Sequence, residues 1–486
     1  MTRTHTAPLT RDGDVIIALD EGTTNAKAVA VDATGLTLAK ASRPVPITHG
    51  KPGWTEQDAT TIWELSRATI AECIDAVGAH RVAGIAISNQ RESVACWNPR
   101  TLEPRGPVLS WQDTRTADAC AQFSSDGAGE LVTSRTGLPL DAMFSAPKAA
   151  WLLSRAPAGS VVGTIDSWLL AQLTAGATHA IEAGNASRTL LMSLHTLEWD
   201  SDLLALFGIP RAALPAIARS DATFGTTQCD GLPAGIPILT AMADSHAALW
   251  GHGGGHPGVV KATFGTGSSI MRGTGPSLAR APGVATTLAW LTDEPTYALE
   301  GNVRYSGAAL DWTARLLGVG SARALGDLAA TVPDSGEAAF VPAFGGLGAP
   351  HWDPRAVGTL TGLGAGTTAA HIARAAFEAV AMQVADVVDA MASTTPVTAL
   401  RADGGATASD LLMQAQADAL GKPVHVAGSG DVALRGVARL AWRRLGHDLA
   451  AAAAERSFAP REGDTPHGRD RWSLAVARAR LLHDRT

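Results

Sequence analysis

Residues 14–35, DVIIALDEGTTNAKAVAVDATG, and residues 258–275, GVVKATFGTGSSIMRGTG, share one design of strand, glycine–threonine turn and second strand. Two such hairpins about half a chain apart predict two sheet-centred domains of common architecture. The length agrees, because 486 residues exceed what one hydrophobic core usually supports. The expected division is into residues 1–250 and 251–486. The glycine-rich GHGGGHPG at 251–258 would then be the boundary, where flexible residues permit hinge motion.

Strands and helices alternate along the rest of the chain. VAGIAISNQ (82–90) and SVACWNP (93–99) read as buried strands, and GIPILTAMAD (235–244) as an apolar strand that ends on an acid. HIARAAFEAVAMQVADVVDAM (371–391) has apolar residues at helical spacing. LRADGGATASDLLMQAQADAL (400–420) reads as strand, Gly-Gly turn and helix, with Asp403 at the strand end. That order predicts an α/β protein with layered sheets.

A net charge of −7 and a pI near 6.1 argue against nucleic-acid or anionic-membrane partners. No apolar run is long enough to span a bilayer, and the polar residues 1–14 lack the apolar core of a signal peptide. Cys73, Cys96, Cys120 and Cys229 form no CxxC pair, which offers neither a zinc site nor a disulfide framework. A cytoplasmic protein is expected. A nucleotide ligand stays compatible with the acidic balance, since phosphates are held by local backbone donors.

Phosphoryl transfer needs donors around phosphates, a metal site, a base near the accepting hydroxyl and a cleft that excludes water. No GxxxxGK[ST] run exists, so a P-loop is out. Gly22-Thr23-Thr24 and Gly265-Thr266-Gly267 are the substitutes: each allows close backbone approach and carries hydroxyls for phosphate oxygens. Either turn alone would be an ordinary hairpin; the pairing argues otherwise.

Asp20 ends the first strand, where it either holds a phosphate-bound Mg²⁺ or bonds its own turn. Asp244, at the C-terminal end of its strand, sits where open α/β sheets bind ligands. It is either a base for a substrate hydroxyl or a helix N-cap. Arg91-Glu92 between two apolar strands is either a polar pocket for vicinal hydroxyls or a structural ion pair. His252 and His256 flank Gly253-Gly254-Gly255, so their HxxxH spacing carries no helical geometry and they read as loop residues. Trp111, beside Gln112-Asp113, is the tryptophan placed near substrate.

Taken in order, DEGTTNAKAV, GWTEQD, SNQRESVACWN, SWQDTRTAD, GTIDSWLLAQLTAG, NASRTLLMSLHTLEWD, ATFGTGSSIM, VPAFGGLGAPHWDP and RADGGATASDLLMQAQAD resemble the bacterial glycerol kinases of the FGGY family of carbohydrate kinases. MFSAPKAAWLL (143–153) and GTLTGLGAGTTAAHIARAAFE (358–378) resemble the family's two signatures, the first departing at Ala149 and after Leu153.

The resemblance implies two actin-like, RNase H-type α/β domains that close over a catalytic cleft. It implies ATP and Mg²⁺ as cofactors and a homodimer or homotetramer. Asp20 and Asp244 match the metal-holding acid and the general base, with Asp244 also beside the metal. Thr23, Thr24, Lys27, Thr266 and Gly267 match the phosphate turns, with Lys27 where glycerol kinases usually carry arginine. Gly307, Gly404, Gly405 and Ser409 match positions around the nucleotide, where the family often has Asn at Ser409.

Arg91, Glu92 and Trp111 match glycerol-contacting positions. Met143 stands where those enzymes usually have tyrosine, Ser245 where they have Gln, and Ser269 near an aromatic. Their GDQQ is ADSH here, Ala243 to His246. The lost bulk implies an acceptor larger than glycerol, a tetritol, pentitol or ketopentose such as xylulose, with Ser245 or His246 bonding its extra hydroxyls. Glycerol itself is the alternative.

Two readings of other classes remain at this point. An actin-like ATPase would hydrolyse ATP without a sugar and has no use for a buried Arg91-Glu92 pair. A non-catalytic sugar-binding regulator would not need both Asp20 and Asp244.

Overall fold

The computed structural model describes residues 13–254, 258–393, 395–428, 431–461 and 465–481. His256, and with it the centre of the expected 251–258 boundary, lies outside the described residues.

The first hairpin forms β1 (Val15–Glu21) and β2 (Asn25–Asp32), and β3 (Thr37–Pro44) extends it antiparallel. β4 (Val82–Asn89) and β5 (Ile238–Ala243) add in parallel, in the order β3-β2-β1-β4-β5. The second hairpin repeats the plan. β6 (Val259–Phe264) and β7 (Ser268–Gly275) are antiparallel, and β8 (Ala285–Leu291) and β9 (Pro295–Val303) continue beyond β7. β10 (Ala399–Asp403) and β11 (Val424–Ala427) add in parallel, and β12 (Ala454–Phe458) closes the edge, in the order β8-β9-β7-β6-β10-β11-β12. An antiparallel run, of three strands in the first sheet and four in the second, followed by two parallel strands thus occurs in both, as the paired hairpins predict.

The apolar run of β1 is continuous because both faces are covered. Val15, Ile17 and Leu19 enter one core while Ile16 and Ala18 enter another. A smaller sheet of Glu56–Gln57, Val108–Leu109, Val94–Trp97 and Val161–Thr164 is built onto the first half and carries its own core.

The helix expected at 371–391 is α3 (Ala369–Ala392), preceded by α1 (Asp244–Gly251) and α2 (Gly307–Leu316), and followed by α4 (Asp410–Leu420) and α5 (Val432–Arg444). Although α5 comes late in the chain, Leu434, Val437, Ala441 and Trp442 pack with Ile16, Val29 and Val31 of the first sheet. Trp442 Nε1 donates to the Val31 carbonyl at 3.1 Å. α5 crosses α1 closely: a Cβ on Gly436 would stand 1.9 Å from the Ala247 carbonyl oxygen. Backbone contact at that crossing joins the two halves just behind Asp244.

Candidate active site

The two hairpin turns and the end of β5 supply the site. Asp20 pairs in register with Lys27 on β2 and Ser88 on β4, and its Oδ1 accepts from Ser88 Oγ at 2.6 Å. Burial raises its carboxyl to about 6, Ser88 opposes that, and the nearby Asp244 charge adds to it. Lys27 Nζ lies 3.8 Å from Asp431 Oδ1, at the start of α5. Thr23 Oγ1 accepts from Trp111 Nε1 at 2.9 Å and its carbonyl from Gln57 Nε2 at 2.9 Å, which binds the first turn to the small sheet. Thr24 Oγ1 accepts from Asn25 Nδ2 at 3.1 Å.

In the second turn, Gly265 N donates to the Gly267 carbonyl at 2.8 Å. The first residues of α2 clasp it: Gly307 N donates to the Gly265 carbonyl at 2.9 Å and Ala308 N to the Thr266 carbonyl at 3.1 Å. Gly404 sits against the same strand end. Its φ is +96°, and a Cβ there would meet the Phe264 carbonyl oxygen at 2.5 Å, so only glycine fits. Thr266, Gly267, Gly307 and Gly404 therefore come together, 97 residues apart in the last two cases (404 minus 307). Gly405 opens a short 3₁₀ turn, Gly405–Ala408, which the Gly-Gly reading did not anticipate. Ser409 caps α4, its Oγ accepting from Leu412 N at 3.2 Å.

Asp244 is the first residue of α1 and not its N-cap, which is Ala243 and makes no side-chain cap bond. Its Oδ1 accepts from Ser245 N at 2.5 Å and lies 3.2 Å from Arg91 Nε, while 41% of the side chain stays accessible. Arg91 and Glu92 do not pair with each other. Glu92 has a φ of +61°, a strained value for a non-glycine residue, and it turns away to Arg188, whose Nε donates to Glu92 Oε1 at 2.7 Å. Arg91 Nη1 reaches Glu300 Oε1 at 2.6 Å, and Arg188 Nη1 lies 2.6 Å from Glu300 Oε2. One ionic chain thus runs Asp244, Arg91, Glu300, Arg188, Glu92. Burial opposes the Glu300 charge, but Arg188 and Arg91 outweigh it and hold the carboxyl at about 2.

Ser245 is nearly buried and His246 fully so. Neither ring nitrogen of His246 nor Oγ of Ser269 has a hydrogen-bond partner among the described residues. Burial, with Arg91 adding, lowers the His246 pKa well below its ordinary value, so the ring is neutral near pH 7. Met143 packs half-buried in the core of the small sheet, and its carbonyl accepts from Lys148 Nζ at 2.6 Å. Trp111 remains 36% exposed beside the first turn.

The family models for the FGGY carbohydrate kinases match both halves, the N-terminal domain over residues 15–251 and the C-terminal domain over 260–445. The chain belongs to the FGGY family of carbohydrate kinases. It is 43% identical over 488 residues to the apulose kinase of Pectobacterium atrosepticum, covering 96% of this chain and 98% of the relative. It is also 43% identical over 484 residues to the glycerol kinase of Alkalilimnicola ehrlichii, with the same coverage. The solved structure of Plasmodium falciparum glycerol kinase with ADP superposes with a TM-score of 0.90 at 28% identity, covering 96% of this chain and 98% of that one. The protein is an ATP-dependent carbohydrate kinase of actin-like fold, a phosphotransferase with an alcohol group as acceptor. No helix of the described residues is long and apolar enough to cross a membrane.

Sequence reasoning missed several charged residues that this FGGY kinase buries around Asp244 and Arg91. Glu300, Arg188 and Lys261 are lone charges within otherwise apolar or small-residue segments, PTYALEGNV, AGNASRTLL and VVKATF, and that interruption was the available signal. His252 is buried rather than a free loop residue, its Nε2 lying 2.7 Å from Asp403 Oδ2.

Proposed function

We propose that the kinase transfers the γ-phosphoryl group of ATP to a hydroxyl of a polyol or ketose larger than glycerol, with Asp244 as general base. The observation that carries the reading is the accessible Asp244 carboxylate beside Arg91, close enough to Asp20 for its charge to be felt there. The acceptor oxygen attacks phosphorus in line while its proton passes to Asp244. Thr23, Thr24, Lys27, Thr266 and Gly267 hold phosphates, and Gly307, Gly404, Gly405 and Ser409 line the nucleotide. The halves meeting at 250/251 act as the two domains.

Mg²⁺ suits the acids present. Asp20 is raised by burial and by Asp244, so a cation between the two carboxylates relieves both. No three acid, His or Cys side chains converge among the described residues, so the ion would take its remaining ligands from phosphate oxygens and water.

Arg91, Glu92 and Trp111 form the acceptor side. The uncommitted polar atoms of His246 and Ser269, with Met143 and Ser245 nearby in the reading, favour additional hydroxyls on the acceptor. The similarity to a relative named for apulose points the same way, whereas relatives named for glycerol favour the second reading. A panel of glycerol, tetritols, pentitols and ketopentoses with ATP tests the choice: a higher kcat/KM for a four- or five-carbon acceptor is expected, and a maximum at glycerol would overturn it.

A further inference from the structure

Lys261 lies on β6, the strand that leads into the second turn, and is 1% exposed. Its neighbours Val260, Ala262 and Phe264 enter the core of the second half. The two-residue period of a strand therefore turns Lys261 and Thr263 to the opposite face, toward the site. Register extends that face sideways, from Lys261 through Met271 to Glu300 and from Asp403 through Thr263 to Ser269. The charges that act on Lys261 are those of Asp403, Asp244, Arg91 and Glu300. Asp403, on the same face, immediately precedes Gly404, and Asp244 is the base candidate, so the ammonium feels the charges of both.

Its Nζ has no hydrogen-bond partner among the described residues. A buried ammonium without one is costly, and burial does lower its pKa against the pull of Asp403. The other buried cations are committed: Arg91 to Asp244 and Glu300, Arg188 to Glu92 and Glu300, Lys148 to the carbonyls of Ser110 and Met143, Arg272 to those of Met391 and Thr395, and Arg374 to Glu378. An anionic oxygen matches an uncommitted ammonium better than a neutral hydroxyl does.

We propose that Lys261 is a catalytic residue whose ammonium donates to a non-bridging oxygen of the γ-phosphoryl group as it passes from ATP to the acceptor. In that step the acceptor oxygen bonds to the γ-phosphorus. The bond from that phosphorus to the β–γ bridging oxygen breaks, its electron pair leaving on ADP, and the acceptor proton goes to Asp244. Lys261 moves no proton; it offsets charge on the transferring oxygens. The inference rests on the reading of Asp244 as base, but not on which acceptor is used.

The test compares Lys261→Met, Lys261→Gln and Lys261→Arg in the full chain, with ATP and the acceptor that performs best, glycerol included. Lys261→Met is expected to melt at or above the parent temperature and to lose about 10²-fold or more in kcat. The KM values for ATP and acceptor should stay within about threefold, since the interaction is made in the transition state. Inhibition by ADP with aluminium fluoride, a mimic of the transferring group, should weaken by a similar factor. Lys261→Arg should recover at least about a tenth of the parent kcat, and Lys261→Gln should not.

A kcat for Lys261→Met within threefold of the parent would overturn the proposal. So would a loss confined to the acceptor KM, or a folded Lys261→Arg as inactive as Lys261→Gln. If Lys261→Met does not fold, the Arg and Gln pair decides. A glycerol preference would sink the larger-acceptor reading and leave this one standing.

Discussion

Arg91 Nε lies 3.2 Å from Asp244 Oδ1, so the base candidate is held by a guanidinium whose other arm is anchored to Glu300 in the second half of the chain. Asp244, Arg91 and Glu300 are therefore one connected unit that spans both halves. Asp244→Asn keeps the shape but cannot take a proton. Turnover should fall by about 10³-fold or more while ATP binding, measured by calorimetry, stays within a few fold. Near-normal turnover would remove Asp244 from its role.

Glu300 predicts a pH dependence. Its folded carboxyl sits at about 2 against an ordinary 4.5, so it binds its proton less readily in the folded chain. The stabilisation is present above pH 4.5 and is lost as the pH falls through 2, about 3 kcal/mol for a shift of this size. Glu300→Gln leaves Arg91 and Arg188 without their shared carboxylate and should cost about 3–5 kcal/mol at pH 7. Denaturant titrations from pH 7 to 2 should show the two proteins converging on the acid side; parallel curves would contradict the assignment.

Asp20→Asn removes one of the two carboxylates read as facing Mg²⁺. The magnesium concentration for half-maximal rate should rise about tenfold or more, on the scale of a lost carboxylate ligand. EDTA should abolish turnover of the parent enzyme. An unchanged magnesium dependence would assign Asp20 to turn chemistry with Ser88 instead.

Gly404→Ala forces a Cβ to within 2.5 Å of the Phe264 carbonyl oxygen, at a φ of +96° that favours glycine. The strand end that carries Gly265-Thr266-Gly267 must shift. The ATP KM should rise about tenfold, with a stability loss of about 1–3 kcal/mol by melting. An unaltered ATP KM would place the nucleotide elsewhere.

Ser269→Phe puts an aromatic ring on the strand position between Thr263 and Asn302. The ratio of kcat/KM for the best four- or five-carbon acceptor over glycerol should drop about tenfold, the scale of a few atoms' fit in a pocket. If that ratio does not move, Ser269 is remote from the acceptor.

Much of this was legible in the sequence because it is local. The run Val15 to Leu19, the turn at Gly22 and the second turn at Gly265 specify hairpins through strand propensity and glycine placement, with no knowledge of the rest of the chain. The apolar strand Ile238–Ala243 likewise put Asp244 at a strand end. Whether Asp244 capped a helix or faced a cleft was not local, and the structure sets Ala243 at the cap. Arg91 and Glu92 are neighbours in sequence, which suggests a pair. Their partners are instead Glu300, 209 positions away, and Arg188, 96 positions away. The backbone at Glu92 and the docking of the second sheet select those partners, and no periodicity encodes them. The sequence by itself determined two hairpin-led α/β halves and the glycines and threonines on their turns. Only the tertiary structure decided which buried charges neutralise one another, because a low-dielectric interior requires each charge to find a partner wherever the packed elements bring one.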